Sequence, residues 1–231
     1  MTTRRVTVFA REPVPGAVKT RLAAALGAEE AARLYAAFLA DLAAELAAAS
    51  GEWESVLAHT GEEPGIELSR LFGRRFSFAP QGEGDLGARL VRAFESARGA
   101  AGALAVVVGS DAPTLSRADL ARAFAALAAG SDVVLAPAPD GGYSLVGLGP
   151  RAEACELFAG VRWSTVDTLA DTLANASRRG LVTTVMEGVP DVDVVEDLVS
   201  LRALLAKDPR LAPATRHALG LEEPQPRGAA S

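Results

Sequence analysis

The sequence predicts an α/β fold, and three observations carry that prediction. Short β-branched runs alternate with helical apolar patterns along the chain. Two of those runs, Ala103–Val108 (ALAVVV) and Asp132–Pro137 (DVVLAP), are almost continuously apolar, as strands are when both faces of a parallel sheet are covered. Glycine- and proline-bearing loops follow several of the strands, at the edge where open α/β sheets bind ligands. Strict alternation calls for a mainly parallel sheet with helices on its faces. Asp140-Gly141-Gly142 is a hairpin signal and adds one antiparallel element. With no internal repeat and no linker, the reading is one domain over residues 1–220 and a tail, 221–231, of flexible composition.

The elements follow in order. Arg5–Ala10 reads as the first strand, and Arg11–Val18, with Pro13, Pro15 and Gly16, must be a loop. Lys19–Leu26 starts a helix that Gly27 stops. Ala28–Ala49 is a long helix with Leu34, Phe38, Leu42 and Leu46 at helical spacing. Trp53–His59 and Phe76–Ala79 are strands on either side of a helix over Pro64–Gly73. Leu86–Ala97 is the next helix, followed by the apolar run Ala103–Val108. Ser116 and Asp119 form a capping box for a further helix. After Asp132–Pro137 the hairpin leads into a strand at Tyr143–Val146. Ser164 and Asp167 read as a second capping box, ahead of a helix over Val166–Arg179. Leu181–Met186 is the last strand and Val194–Leu205 the last helix.

Composition narrows the function. Of 231 residues, 49% are hydrophobic, enough for a sizeable core. The net charge of -6 argues against broad binding to nucleic acid or an anionic membrane, though not against a small basic pocket. No run has the length and apolarity of a membrane span, and no signal peptide is evident, so a cytoplasmic protein is expected. The single cysteine, Cys155, excludes an internal disulfide and reads as a packed helical residue. His59 and His217 read as structural or surface residues. Only two lysines are present, Lys19 and Lys207. A lysine kept inside a Pro-Gly loop of such an arginine-biased chain draws attention. The long alanine-rich helix offers a face for a homodimer.

The loops after strands hold the candidate chemistry. Arg11, Pro15, Gly16, Lys19 and Arg21 form a stiff basic loop that feeds a helix N-terminus, which suits phosphate; the alternative is a proline turn with solvated cations. The string Gly16–Thr20 lacks the first glycine of a Walker A loop. Gly84, Asp85, Leu86 and Gly87 form a second glycine loop that lines a base or a sugar. Gly109, Ser110 and Asp111 end the buried strand, where a carboxylate either binds a hard cation or caps a turn. Asp191-Val192-Asp193 precedes the last helix; Asp193 is either its N-cap or a second metal ligand with Asp111. Asp140, Gly141, Gly142 and Tyr143 form the hairpin, and Trp163, Ser164 and Thr165 one of the few aromatic clusters.

Taken in order, these stretches resemble the bacterial glycosyltransferase-like proteins of the arsenosugar-biosynthesis type, within the GT-A nucleotide-diphospho-sugar transferase superfamily. They are more distantly similar to 2-phospho-L-lactate guanylyltransferase and the molybdenum-cofactor nucleotidyltransferases. The resemblance spans about Arg5–Leu205 and is strongest in PGAVKTRL and DGGYSLVGL. It implies a three-layer α/β/α Rossmann-like fold with a mainly parallel mixed sheet. It also implies Lys19 and Arg21 on phosphate; the loops themselves put Arg11, Pro15, Gly16, Gly84, Asp85, Gly109 and Ser110 around the nucleotide. Asp111 and Asp193 would hold Mg²⁺ or Mn²⁺. Asp140, Gly141, Gly142, Tyr143, Trp163, Ser164 and Thr165 would meet the acceptor, with Lys19, Arg21, Asp111 and Asp140 catalytic.

One departure is visible: Ser110-Asp111-Ala112 stands where many glycosyltransferases of this type carry Asp-x-Asp. The expected substrates are an NDP-sugar or an NTP and a small-molecule acceptor. The first expectation is sugar transfer and the alternative nucleotidyl transfer to a phosphorylated molecule with release of pyrophosphate. A non-catalytic nucleotide sensor is the remaining alternative, and it has little need of two metal-binding acids.

Overall fold

A computed structural model describes residues 3–49, 51–98 and 103–221. The strands are β1 (Arg4–Ala10), β2 (Glu54–His59), β3 (Ser77–Pro80), β4 (Leu104–Gly109), β5 (Val133–Pro137), β6 (Tyr143–Leu148) and β7 (Thr183–Val185). They form one sheet in the order β3-β2-β1-β4-β6-β5-β7. Only β6 runs antiparallel, pairing β4 on one side and β5 on the other; the pairs that omit it are parallel. The apolar strands β4 and β5 thus lie in the sheet interior, as their sequences predicted, and the Asp-Gly-Gly hairpin supplies the antiparallel member.

The helices are α1 (Thr20–Leu26), α2 (Ala28–Ala48), α3 (Ile66–Phe72), α4 (Leu86–Ala97), α5 (Arg117–Ala128), α6 (Ala154–Leu157), α7 (Thr168–Arg178), α8 (Val195–Lys207) and α9 (Pro213–Ala218). Successive strand residues face opposite ways, and this divides the core into two. Leu104, Val106 and Val108 of β4 pack with Phe38 of α2, Phe124 of α5 and Leu201 of α8. Ala105 and Val107 pack with Phe94 of α4, Leu157 of α6 and Ala176 of α7. The result is the three-layer α/β/α, Rossmann-like mixed-sheet fold that the resemblance implied.

Several local expectations change. The capping box of α5 is present, with Ser116 and Asp119 each bonded to the other's backbone. The one expected at Ser164 and Asp167 is absent: Ser164 is left-handed (φ 58), and α7 starts later, at Thr168. Threonine hydroxyls shape that turn instead, Thr165 accepting from the Asp167 N–H (3.2 Å) and Thr168 from the Thr165 N–H (3.4 Å). Cys155 is exposed rather than packed. Helix α9 went unread because its six residues show no periodicity. Tertiary contacts hold it, through Asp41 of α2, which accepts from Ala214 N, Thr215 N and Thr215 Oγ1 at 2.8, 2.8 and 2.6 Å. Most of the tail, from residue 222 on, lies outside the described residues. No helix among those described is long and apolar enough to cross a membrane.

The hairpin before β6 leaves no room for a side chain. Gly141 has φ +90, and a Cβ there would lie 2.4 Å from the Val166 carbonyl oxygen. Gly141→Ala is therefore expected to destabilise the protein by at least about 2 kcal/mol; equilibrium urea unfolding checks this.

Candidate functional site

The carboxyl ends of β1 and β4 are neighbours in the sheet, and their loops open on a cavity of about 730 Å³. That lies within the roughly 300–1,000 Å³ of small-molecule sites. The first loop forms one wall. Val18 and Leu22 are buried and anchor its end. Its outer turn closes with Ala17 N donating to Val14 O at 3.0 Å. Pro15 and Gly16 (φ +79) are the central pair, as a type II turn requires. Their work is to reverse the chain: both are exposed, and neither lines the cavity. Glu12 fixes the loop from outside by accepting from Glu67 N and Leu68 N at 2.8 and 3.2 Å, at the start of α3.

Lys19 is the centre of the site. Its Nζ lies 2.6 Å from Asp111 Oδ1 and 2.8 Å from Asp193 Oδ1, and it donates to the Val192 carbonyl at 2.7 Å. Of the three N–H donors of the ammonium, Asp193 and the Val192 carbonyl take two, and Asp111 pairs with it by charge. The side chain is only 4% exposed. Burial alone would pull its pKa down, but the Asp111 and Asp193 carboxylates outweigh that and hold it above the ordinary lysine value. Lys19 is also left-handed (φ 47), a costly conformation for a residue with a Cβ. In this arrangement it faces carboxylates. Arg21 is 71% exposed, 3.9 Å from Asp193, and Arg11 is exposed; these two are the cations a phosphate would meet first.

The alternatives for the two acids can now be separated. The N-cap of α8 is Val194, not Asp193. Asp197 does the capping, accepting from Asp193 N and Val194 N at 2.8 and 2.9 Å. The Asp193 carboxylate is thereby left to Lys19 and Arg21. Asp111 likewise gives its carboxylate to Lys19, and its backbone carbonyl accepts from Val192 N at 2.9 Å. The side chains of Asp111 and Asp193 remain 44% and 40% exposed. Both reach one cationic atom, a spacing that one cation can bridge. A hard divalent cation fits oxygen donors so placed, and completes its shell with water and substrate phosphate. Among the described residues no group of three or more His, Cys, Asp or Glu could hold a metal by itself.

Other predicted residues take more modest places. Asp85 is the N-cap of α4, accepting from Ala88 N at 2.8 Å, and it also lines the cavity, with Gly84. Gly109 borders the cavity, and a Cβ there would touch nothing within 4 Å. Ser110 is buried, with its hydroxyl 2.7 Å from that of Tyr35. Asp140 accepts from Gly142 N at 2.8 Å, an Asx turn, and lines the cavity with Gly142 and Tyr143. Trp163 and Ser164 also line the cavity. Trp163 lies so close to Gly87 that a Cβ there would come within 2.7 Å of Nε1. Gly141 and Thr165 lie outside the lining; Thr165 Oγ1 donates to Arg162 O at 2.9 Å.

Three residues escaped the sequence reading. Tyr35 accepts from Arg11 N at 3.1 Å and meets Ser110, so it joins the loops after β1 and β4. Nothing in the sequence marks it off from other apolar residues of α2. Gln81 donates to Ala10 O and Ala58 O at 3.1 and 2.9 Å, tying together the ends of β1 and β2. Its sequence signal was only its place before a glycine loop. Asp191 was visible in Asp-Val-Asp but passed over for Asp193. Its carboxyl is pushed up to about 6, first by burial and then by Asp140, Asp193 and Asp111.

Residues 42–165 match the family described as "Uncharacterized protein conserved in bacteria (DUF2064)". The chain belongs to the DUF2064 family. The matched stretch includes β4, Asp111 and the hairpin, while Lys19 and Asp193 flank it. No curated protein matches the chain. Among solved structures, one from Desulfovibrio desulfuricans G20, called a "putative nucleotide-diphospho-sugar transferase", is 28% identical with a TM-score of 0.86, over 96% of this chain and 95% of that one. A cytidylyltransferase from Leptospira borgpetersenii is 12% identical with a TM-score of 0.58, over 96% of this chain and 95% of that one. A 4-diphosphocytidyl-2C-methyl-D-erythritol synthase from Anaerococcus prevotii is 10% identical with a TM-score of 0.55, over 89% of this chain and 99% of that one. These last two share the fold.

The acidic cluster makes a stability prediction. Asp191 binds its proton more tightly in the folded than in the unfolded chain. Its contribution is therefore fullest below about 3.8, declines as pH rises to about 6, and stays low above that. Asp191→Asn is expected to stabilise the metal-free protein above pH 6 by roughly 1 kcal/mol, after allowance for solvent screening. The gain should vanish toward pH 4. Thermal unfolding across pH in a chelator measures both.

Proposed function

We propose that this chain is a metal-dependent transferase acting at the phosphates of a nucleotide. The observation that carries the proposal is the meeting of Lys19, Asp111 and Asp193 at the carboxyl ends of the strands. Three loops far apart in sequence bring two acids and a cation to one point, beside exposed arginines and within a cavity of nucleotide size. Asp111 and Asp193 would hold Mg²⁺ or Mn²⁺, which would neutralise charge on the phosphates. Lys19, Arg11 and Arg21 share that charge as it shifts to the leaving group. Asp140 orients the acceptor, and Tyr143, Trp163 and Ser164 form the wall against which it rests.

Two transfers fit this frame. The paired acids favour nucleotidyl transfer, since the resemblance assigns a late aspartate to the metal in nucleotidyltransferases and Asp193 and Asp111 both reach Lys19. In that reaction an acceptor oxygen forms a bond to the α-phosphorus of an NTP. The bond from that phosphorus to the bridging oxygen breaks, and pyrophosphate leaves with the electron pair. Sugar transfer, the first expectation from the sequence, is the second reading. The name of the Desulfovibrio protein, 28% identical, supports it. There the acceptor oxygen bonds to the sugar's anomeric carbon and the nucleoside diphosphate leaves.

A thermal-shift panel of NTPs and NDP-sugars, with and without Mn²⁺, tests the proposal. A bound ligand at about 100 times its dissociation constant adds roughly 2.7 kcal/mol, or roughly 5–10 °C for a chain of this size. No shift with any nucleotide in the presence of metal would overturn it. With an acceptor supplied, released pyrophosphate marks nucleotidyl transfer and released nucleoside diphosphate marks sugar transfer. Lys19→Ala and Asp111→Ala are each expected to lower turnover at least about tenfold while circular dichroism shows a folded protein.

A further inference from the structure

We infer that Lys19 and a divalent cation compete for the same two carboxylates, so that metal enters together with substrate phosphate and not ahead of it. On this inference the Lys19 ammonium holds the position between Asp111 and Asp193 that a metal would take, and would pass to a phosphate oxygen when metal and substrate bind. It rests on reading the site as one for metal and nucleotide.

Four observations support it. First, Lys19 Nζ donates to Asp193 and the Val192 carbonyl at 2.8 and 2.7 Å and is ion-paired with Asp111 at 2.6 Å. A phosphate draws the ammonium only by loosening these contacts. Second, the ammonium is the shielded party and the acids are the open ones. Lys19 is 4% exposed and lies 5.9 Å from the centre of the Tyr35 ring, whereas Asp111 and Asp193 are 44% and 40% exposed. An ion arriving from the cavity reaches the carboxylates, not the lysine.

Third, metal without phosphate reverses the charge at this point. Two carboxylates and one ammonium sum to a single negative charge, and a dication added to them makes it a single positive one. Two phosphate charges return it to a single negative charge and give the displaced ammonium a new acceptor. Fourth, Lys19 sits in a left-handed conformation (φ 47) at the N-cap of α1, where its side chain makes no helix-capping bond. That backbone conformation is the one from which the ammonium reaches both acids.

The test measures Mn²⁺ alone, by the electron paramagnetic resonance of free ion, against wild type and Lys19→Met. The variant is expected to bind Mn²⁺ at least about tenfold more tightly, because a competing charge-assisted contact is gone. Equal or weaker binding by a folded Lys19→Met protein would overturn the competition. A second measurement needs no variant at the site. With ¹⁵N-labelled lysine the chain gives two side-chain signals, Lys19 and Lys207, assigned by Lys207→Arg. Mg²⁺ with inorganic pyrophosphate is expected to move the Lys19 signal, and Mg²⁺ alone to leave it in place at the same concentration. A shift with Mg²⁺ alone, or none with Mg²⁺ and pyrophosphate, also overturns the inference. If nucleotides with metal raise the melting temperature while either result goes against the competition, the inference fails and the transferase reading stands. If no nucleotide binds with metal, both fall.

Discussion

The Lys19 ammonium holds the functional edge of this molecule together. It draws the loop after β1, the loop after β4 and the segment before α8 to one point, through Asp111, Asp193 and the Val192 carbonyl. The pairing is nearly buried on the lysine side and open on the acid side. Removing the lysine would leave two carboxylates facing each other beside Asp140 and Asp191. Removing one acid would leave a buried ammonium short of an acceptor, which is costly in a poorly solvated site.

Hydrogen-bonded supports surround this charged centre. Tyr35 bridges Arg11 N and Ser110, and Gln81 spans Ala10 O and Ala58 O. Arg92 closes on the carbonyls of Gln81 and Glu83, which steadies the second glycine loop. Glu12 ties the basic loop to α3. These groups fix the backbone ends from which the charged side chains project, and so restrict their geometry before substrate arrives. Among the described residues three non-glycines have positive φ, and two of them, Lys19 and Ser164, line the cavity. Strain is concentrated where recognition is expected.

Much of the fold was legible in the sequence because its signals are local or periodic. The apolar runs of β4 and β5, the Leu34–Phe38–Leu42–Leu46 stripe of α2 and the Ser116–Asp119 box each specify their element without distant partners. The failures had physical causes. Helix α9 exists through hydrogen bonds to Asp41, 173 and 174 residues away in sequence. The Ser164–Asp167 box lost to a threonine-closed turn pressed against Gly141. Cys155 was read as packed from its residue type, but its helix places it outward, between Ala154 and Glu156.

The site shows the same division. The sequence by itself determined the fold class, the loops at the strand ends and the residues with suitable chemistry, since composition and spacing express these directly. It left open whether Asp193 capped a helix and whether Asp111 capped a turn, because a carboxylate before a helix looks the same in either role. Tertiary structure decided both by giving the cap to Asp197 and bringing the two acids onto Lys19. It also showed Lys19 on carboxylates rather than open to phosphate, and it found Tyr35, Gln81 and Asp191. A pairing between residues 19 and 193 is a matter of how the sheet orders its strands, and no local pattern carries that order.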